Sequence, residues 1–288
     1  MRIRIFAVIG VGVLLVAGCG HPERHIRPSG QHAAPGSGGR PERPPSAAAA
    51  PRRTPPPPRT PPPPRRIDCD RVKCAALTFD DGPGPYTARL LDTLERTRTR
   101  ATFFLLGQNV RDHRHLVRRM ALEGHELGNH SWSHPDLTDR SAAEVRSQIR
   151  RTQRAIEDAS GVRPTLVRPP YGSTNHRVGE AVGMPLILWS VDTLDWRHRD
   201  RARDVRIGVA KPKRGGIVLY HDTHRPSVES IPAVIAGLRD RGFTLVTVTE
   251  LFGGRDLEPG ESYTERTERT ERTEPPAEVV ATHSPAKR

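Results

Sequence analysis

The chain has 288 residues and a formal net charge of +13, but the charge is spread unevenly. Residues 1–66 carry 11 basic and 2 acidic groups, residues 67–254 carry 29 and 23, and the remainder carries 6 and 8. The basic excess lies mostly ahead of the domain and no nucleic-acid motif accompanies it, which argues against a nucleic-acid-binding module. It suits anionic lipid headgroups or anionic wall polymers instead.

The N-terminus reads as an export signal. Arg2 and Arg4 precede Ile5 to Ala17, an uncharged apolar run of 13 residues, short for a bilayer span. The run ends in Leu15-Val16-Ala17-Gly18-Cys19, which resembles the lipobox of bacterial lipoproteins. That resemblance implies that residues 1–19 form a signal peptide ending at Cys19. Cys19 would be lipidated and anchor the protein to the outer face of the bacterial cell membrane, facing the wall. An ordinary secretory signal cleaved near Ala17 or Gly18 is the alternative.

Residues 20–66 are dominated by Pro, Gly, Ala, Ser and Arg, with proline runs at 55–58 and 61–64. Such a stretch buries too little apolar surface to offset its ordering entropy, so a disordered, extended linker is expected. In polyproline II geometry, at about 3.1 Å per residue, it reaches on the order of 100 Å. From Arg255 the chain turns polar again, and Thr264-Glu265-Arg266 starts a three-residue repeat. Residues 255–288 are therefore expected to be a disordered low-complexity tail, which leaves 67–254 as one domain. Cys69 and Cys74 precede its first strand. Export makes a disulfide between them plausible, two free thiols are the alternative, and no second Cys or His pair supports a zinc site there.

Within the domain, strands and helices alternate. Cys74–Phe79 reads as a buried strand, Tyr86–Thr97 as an amphipathic helix, Ala101–Leu106 as an apolar strand and His113–Glu123 as a helix closed by Gly124. Glu126–Asn129 is a short strand. Ser141-Ala142-Ala143-Glu144 is a capping box opening a helix to about Ala159. Strands follow at Leu166–Arg168, Pro185–Val191, Gly216–His221 and Phe243–Val248, with helices at His176–Val182 and Pro226–Arg241. Buried-type strands separated by helices imply an α/β fold with about seven parallel strands, closed or nearly closed into a distorted (β/α) barrel. A doubly wound open sheet is the alternative, but no Gly-rich phosphate loop follows the first strand.

Five polar clusters sit at strand C-terminal ends, where such barrels keep their active sites. They are Thr78–Pro83, Asn129–His134, Arg168–Tyr171, Asp192–Trp196 and Leu219–His221. Alternation sends Asp80 and Asp81 to different sides, and Gly82-Pro83 stops the strand. One carboxylate is then free to bind a metal while its neighbour stays a base. His130 and His134, four apart, share one face if their segment is a helical turn. With Asp81 they make a two-histidine, one-carboxylate set that leaves open positions on a metal. His125 is expected to be a core or supporting histidine. Asp192 is expected to support the site or cap a strand end, and His176, His198 and His224 to lie at the surface.

Together these clusters resemble the polysaccharide deacetylases of carbohydrate esterase family 4, the NodB homology domain, over about residues 72–252. The resemblance implies one divalent metal ion, zinc before cobalt or nickel, held by Asp81, His130 and His134. It makes Asp80 the general base, paired with Arg168, and His221 the general acid, oriented by Asp195. The Tyr171 N–H joins the oxyanion site, and Trp196 and Leu219 line a pocket for the acetyl methyl. The implied activity is removal of N-acetyl groups from a β-1,4-linked amino-sugar polymer, peptidoglycan foremost because a tethered enzyme with this reach meets the wall. Chitooligosaccharide or acetylated xylan is the second substrate reading, and a non-catalytic wall-binding lipoprotein is the alternative of another class. A monomer without nucleic-acid partners is expected.

Overall fold

The computed structural model describes residues 60–267. The signal segment with Cys19, most of the linker and the tail beyond Thr267 lie outside the described residues. No helix among the described residues is long and apolar enough to cross a membrane.

The barrel starts at β1 (Cys74–Asp80), buried along its whole length because both of its faces are covered. Its neighbours are β2 (Thr102–Leu105) on one side and β6 (Gly216–His221) on the other, both parallel. The sheet continues outward to β3 (Glu126–Asn129) beyond β2 and to β5 (Val191–Asp192) beyond β6. β7 (Thr244–Val246) pairs with only the first three residues of β1, wedged at the strands' N-terminal pole. Val167 bridges β3 to β4 (Leu186–Ile187) through single ladder contacts, so the ring of parallel strands nearly closes.

Side-chain alternation divides the core into two layers. Ala75, Leu77 and Phe79 point outward and pack, with Phe103, Leu105, Val218 and Tyr220, under the helices. Cys74 and Ala76 point inward with Phe104, Leu166, Ile187, Ile217 and Val246. Asp80 lies on the inward-facing row and therefore opens into the barrel at its C-terminal mouth.

The five expected helices form with shifts of about one residue at their ends, and Gly107–Asp112, Asp195–His198 and Arg201–Ala210 are helices not expected from the sequence. In chain order, the first are α1 (Thr87–Arg96), α2 (Gly107–Asp112) and α3 (Arg114–Leu122). In α4 (Ala142–Ser160) the capping box is present in both directions, and the helix stops at Gly161 in the left-handed conformation. Next come α5 (His176–Val182), α6 (Asp195–His198), α7 (Arg201–Ala210) and α8 (Arg225–Asp240). The segment expected to be one strand to Val248 is shorter, because Thr247 and Glu250 form a second capping box that opens α9 (Val248–Phe252). In Leu166–Arg168 only Val167 pairs, by one bridge to each side, so it is not a strand, and Pro185–Val191 splits into β4 and β5, which pair on different sides.

Both domain boundaries need correction. Residues 255–266 are part of the fold, not tail. β8 (Ser262–Tyr263) pairs parallel with β4, and Glu265 bridges Gly216. Arg266 is buried and meets Asp70 at 2.6 Å. The reason is the free edge of β4, whose unpaired backbone groups this strap satisfies. At the other end, the last linker residues dock. The Arg65 guanidinium meets the fully buried Glu250 carboxylate at 2.6 and 2.9 Å, and its backbone N–H donates to the same group at 2.8 Å. Arg100 donates to the Pro63 carbonyl at 3.0 Å. Cys69 and Cys74 are joined in a disulfide, so the free-thiol alternative falls.

Candidate active site

Asp80 ends β1 inside the mouth, almost fully buried, and its Oδ1 accepts from Arg168 Nη1 at 2.7 Å. Arg168 is wholly buried and tied down on every side. Nε donates to the Ile187 carbonyl and Nη2 to the Leu188 carbonyl, both at 2.9 Å, and Nη1 reaches Thr78 Oγ1 at 2.8 Å. Its guanidinium lies 4.1 Å over the Phe104 ring. Burial pushes the Asp80 carboxyl upward, and the Arg168 charge opposes that push.

Asp81 leaves the strand in the left-handed conformation (φ 70°), its carbonyl held by Asn109 Nδ2 at 2.8 Å. The histidines do not share a helical turn. β3 ends at Asn129, and Ser131 (φ 68°) and His134 (φ 60°) both take left-handed backbone. This doubly kinked loop, rather than helical spacing, brings the two rings to 5.0 Å. Asn129 braces it from below, its Oδ1 accepting from the Ser131 N–H at 2.9 Å.

His130 Nδ1 lies 2.7 Å from the Arg168 carbonyl, which only accepts, so Nδ1 carries the proton and Nε2 is left as a lone pair. Burial drives the His130 pKa down to about 3, so the ring is neutral, as a ligand requires. Nε2 of His130 and Nε2 of His134 each lie 3.5 Å from Asp81 Oδ1. That oxygen is enclosed and has no hydrogen-bond partner, and the three donor atoms lie within 4.8 Å of one another. Two imidazoles and a carboxylate converging on an otherwise unsatisfied oxygen fit a divalent cation.

On the far wall, His221 Nδ1 is 2.9 Å from Asp195 Oδ1, and the His221 N–H donates to Oδ2 at 2.8 Å. Burial alone would lower the His221 pKa, but the bond and charge of Asp195 outweigh it and lift it to about 9. For Asp195, burial acts upward, and the bonds from His221 prevail and hold the carboxyl below its usual range. With Nδ1 committed, Nε2 is the atom free to face the cavity, 4.0 Å from Asp81 Oδ2.

Tyr171 takes a left-handed conformation (φ 61°) in the turn Pro170–Gly172, and its exposed ring leans edge-on against His134 at 4.5 Å. Asp80, Asp81, His130, His134, Tyr171, Trp196, Leu219 and His221 all line one cavity of about 370 Å³. A cavity of similar size, about 390 Å³, lies by Arg98 and Arg100 at the opposite pole and holds none of these groups. Trp189 and Asp192 also line the mouth, and Trp189 was missed in the sequence, although it lies just ahead of the Asp192 cluster. Asp192 Oδ1 caps the Leu194 N–H at 2.8 Å. His125 is a core histidine, edge-on to Phe103. His224 is nearer the chemistry than expected, its ring 6.2 Å from that of His221. Asp222, also unremarked in the sequence, is a fully buried carboxyl that burial raises to about 7.

A family model described as polysaccharide deacetylase matches residues 68–184. The peptidoglycan-N-acetylglucosamine deacetylase PgdA of Listeria monocytogenes is 44% identical over 195 residues, 67% of this chain and 42% of that protein. The peptidoglycan-N-acetylmuramic acid deacetylase PdaC of Bacillus subtilis is 45% identical over 180 residues, 62% of this chain and 38% of that protein. The chain thus spans less than half the length of either relative. Among solved structures, the T48 deacetylase with substrate is 47% identical with a TM-score of 0.67, covering 68% of this chain and 99% of that one. The chain belongs to the polysaccharide deacetylases of carbohydrate esterase family 4.

Proposed function

We propose that this domain hydrolyses N-acetyl groups from a β-1,4-linked amino-sugar polymer, with N-acetylglucosamine of peptidoglycan as the substrate. The observation that carries the reading is one cavity presenting the Asp81–His130–His134 donor set, the Asp80 carboxylate and the His221–Asp195 pair together. A divalent cation held by the donor set supplies Lewis-acid polarisation of the acetamide carbonyl and acidifies a water. Zinc is the proposed ion, because imidazole and carboxylate ligands with open positions suit it.

The residues of this chain divide the remaining work. Asp80 takes the water's proton, and Arg168 keeps its carboxylate aimed and charged. The Tyr171 N–H, which makes no hydrogen bond among the described residues, donates to the developing oxyanion. His221, protonated because Asp195 holds its Nδ1, gives a proton from Nε2 to the leaving amine. Trp196 and Leu219 bound the space for the acetyl methyl.

Residues 1–19 support export and a lipid anchor at Cys19, with the domain as a monomer at the outer membrane face, turned to the wall. Labelling cells with a lipid precursor tests that part, since the signal is expected in the wild type and not in Cys19→Ser. Mass spectrometry of peptidoglycan fragments, chitooligosaccharides and acetylated xylan, incubated with the domain and zinc, tests the activity. Loss of acetyl from peptidoglycan fragments supports the reading. Loss from the others alone moves the substrate, and loss from none leaves a wall-binding protein.

A further inference from the structure

Asp222 follows His221 at the end of β6, is fully buried, and has no part in the steps above. Its Oδ2 accepts a hydrogen bond from Thr87 Oγ1 at 2.5 Å. The same hydroxyl accepts from the Gly84 N–H at 2.7 Å. Gly84 closes the turn Asp81-Gly82-Pro83-Gly84, so the relay runs from the turn's backbone through Thr87 to Asp222. The carboxyl also lies flat against Gly82, where a Cβ would stand 2.4 Å from both of its oxygens. Glycine is therefore required at that position, and the carboxyl fills the space behind the turn.

The Thr87 N–H also donates to the Gly84 carbonyl at 3.2 Å, and two further contacts hold the turn from the β2–α2 side. The Leu106 N–H donates to the Gly82 carbonyl at 3.0 Å, and Asn109 Nδ2 donates to the Asp81 carbonyl at 2.8 Å. Asp222, from the end of β6, and Thr87, at the start of α1, grip the turn from the other side. One strand end thus carries His221 at the mouth and, one residue on, the support for the turn that carries Asp81. A buried carboxyl with one donor and one enclosed, unpartnered oxygen is costly in itself. Asp81 moreover needs restraint, because it holds a left-handed conformation that only its surroundings maintain.

We propose that Thr87 and Asp222 are positioning residues that fix the Asp81 carboxylate relative to His130, His134 and His221, and so set the affinity for the metal. The inference rests on Asp81 being a ligand, as in the function proposed above. Outer contacts of this kind typically change metal affinity by about 10–100-fold.

The test is calorimetric titration of the metal-free domain with a zinc salt alone, with the melting temperature of each metal-free variant recorded beside it. Thr87→Val, which keeps the shape and removes the hydroxyl, is expected to weaken zinc binding about tenfold. Thr87→Ser and Asp222→Asn, which keep the donor and an acceptor, are expected to bind nearly as the wild type does. Thr87→Val combined with Asp222→Ala should bind no more weakly than Asp222→Ala alone, since both sever one relay. Wild-type affinity in Thr87→Val, additive losses, or losses that track melting temperature rather than the hydroxyl would each overturn the relay. A wild-type domain that takes up no zinc overturns the site's reading as a metal centre, and the relay's role with it.

Discussion

Asp80 ends β1 and Arg168 follows the Val167 bridge between β3 and β4, yet their side chains meet at 2.7 Å, the guanidinium wholly buried and the carboxylate nearly so. With so little of either side chain exposed, each depends on the other for its charge partner. In Arg168→Gln the buried carboxylate loses its compensating charge, and the Asp80 pKa, already raised by burial, rises further. The proposed base is then protonated over a wider acid range. Turnover on a chitooligosaccharide is expected to fall more at pH 6 than at pH 8, which a pH–rate profile of wild type and variant measures. An equal loss at both pH values would mean that Arg168 acts only through shape.

The adjacent acids should separate cleanly under substitution. Asp80→Asn leaves the three donors intact and still offers an oxygen to Arg168. It is expected to keep its metal and lose turnover by about 10²–10⁴-fold. Asp81→Asn puts a neutral amide where a cation needs a carboxylate, so metal content falls and excess metal restores part of the rate. Elemental analysis beside initial rates distinguishes the two, and loss of metal in Asp80→Asn would refute the division.

His221 gives the pH behaviour a definite sign. Its pKa in the folded domain is raised from 6.5 to about 9, so the Asp195 pair contributes fully to stability below about pH 6.5 and is lost as pH rises through about 9. As the proposed general acid, His221 would also stop functioning across that same limb. Asp195→Asn is expected to bring the alkaline limb of the rate profile downward and to flatten the fall in urea stability between pH 6.5 and 9. An unmoved limb would remove Asp195 from the acid's control.

Residues 255–266 should matter for stability. A chain ending at Gly254 loses β8, its pairing with β4 and the Arg266–Asp70 contact. It is expected to melt several degrees below a chain ending at Thr267, since each kcal/mol is worth about 2–4 °C at this size. Matching melting curves would show the strap to be dispensable.

The parallel barrel and the site were readable because the same short apolar runs that make buried strands stop abruptly at charged residues. Gly216–His221 and His176–Val182 fall where the pattern puts them. What the sequence concealed has physical causes. His130 and His134 look helical by spacing, but Ser131 and His134 take left-handed backbone that no periodicity signals. Arg266 belongs to a charged repeat, yet it is buried because the edge of β4 calls for a partner from a distant part of the chain. Asp222 and Trp189 gave no motif, because their roles come from what packs against them rather than from spacing.

The Arg65–Glu250 clamp is made on α9, whose N-terminal N–H groups at Val248 and Thr249 bond Thr102 and Glu126 at the first residues of β2 and β3. That is the floor of the barrel, while Asp80 and His221 open at its roof. A passenger or solid support attached through this clamped entry would therefore hang beneath the domain. A long glycan could pass over the mouth without being obstructed by an attachment made at the clamp.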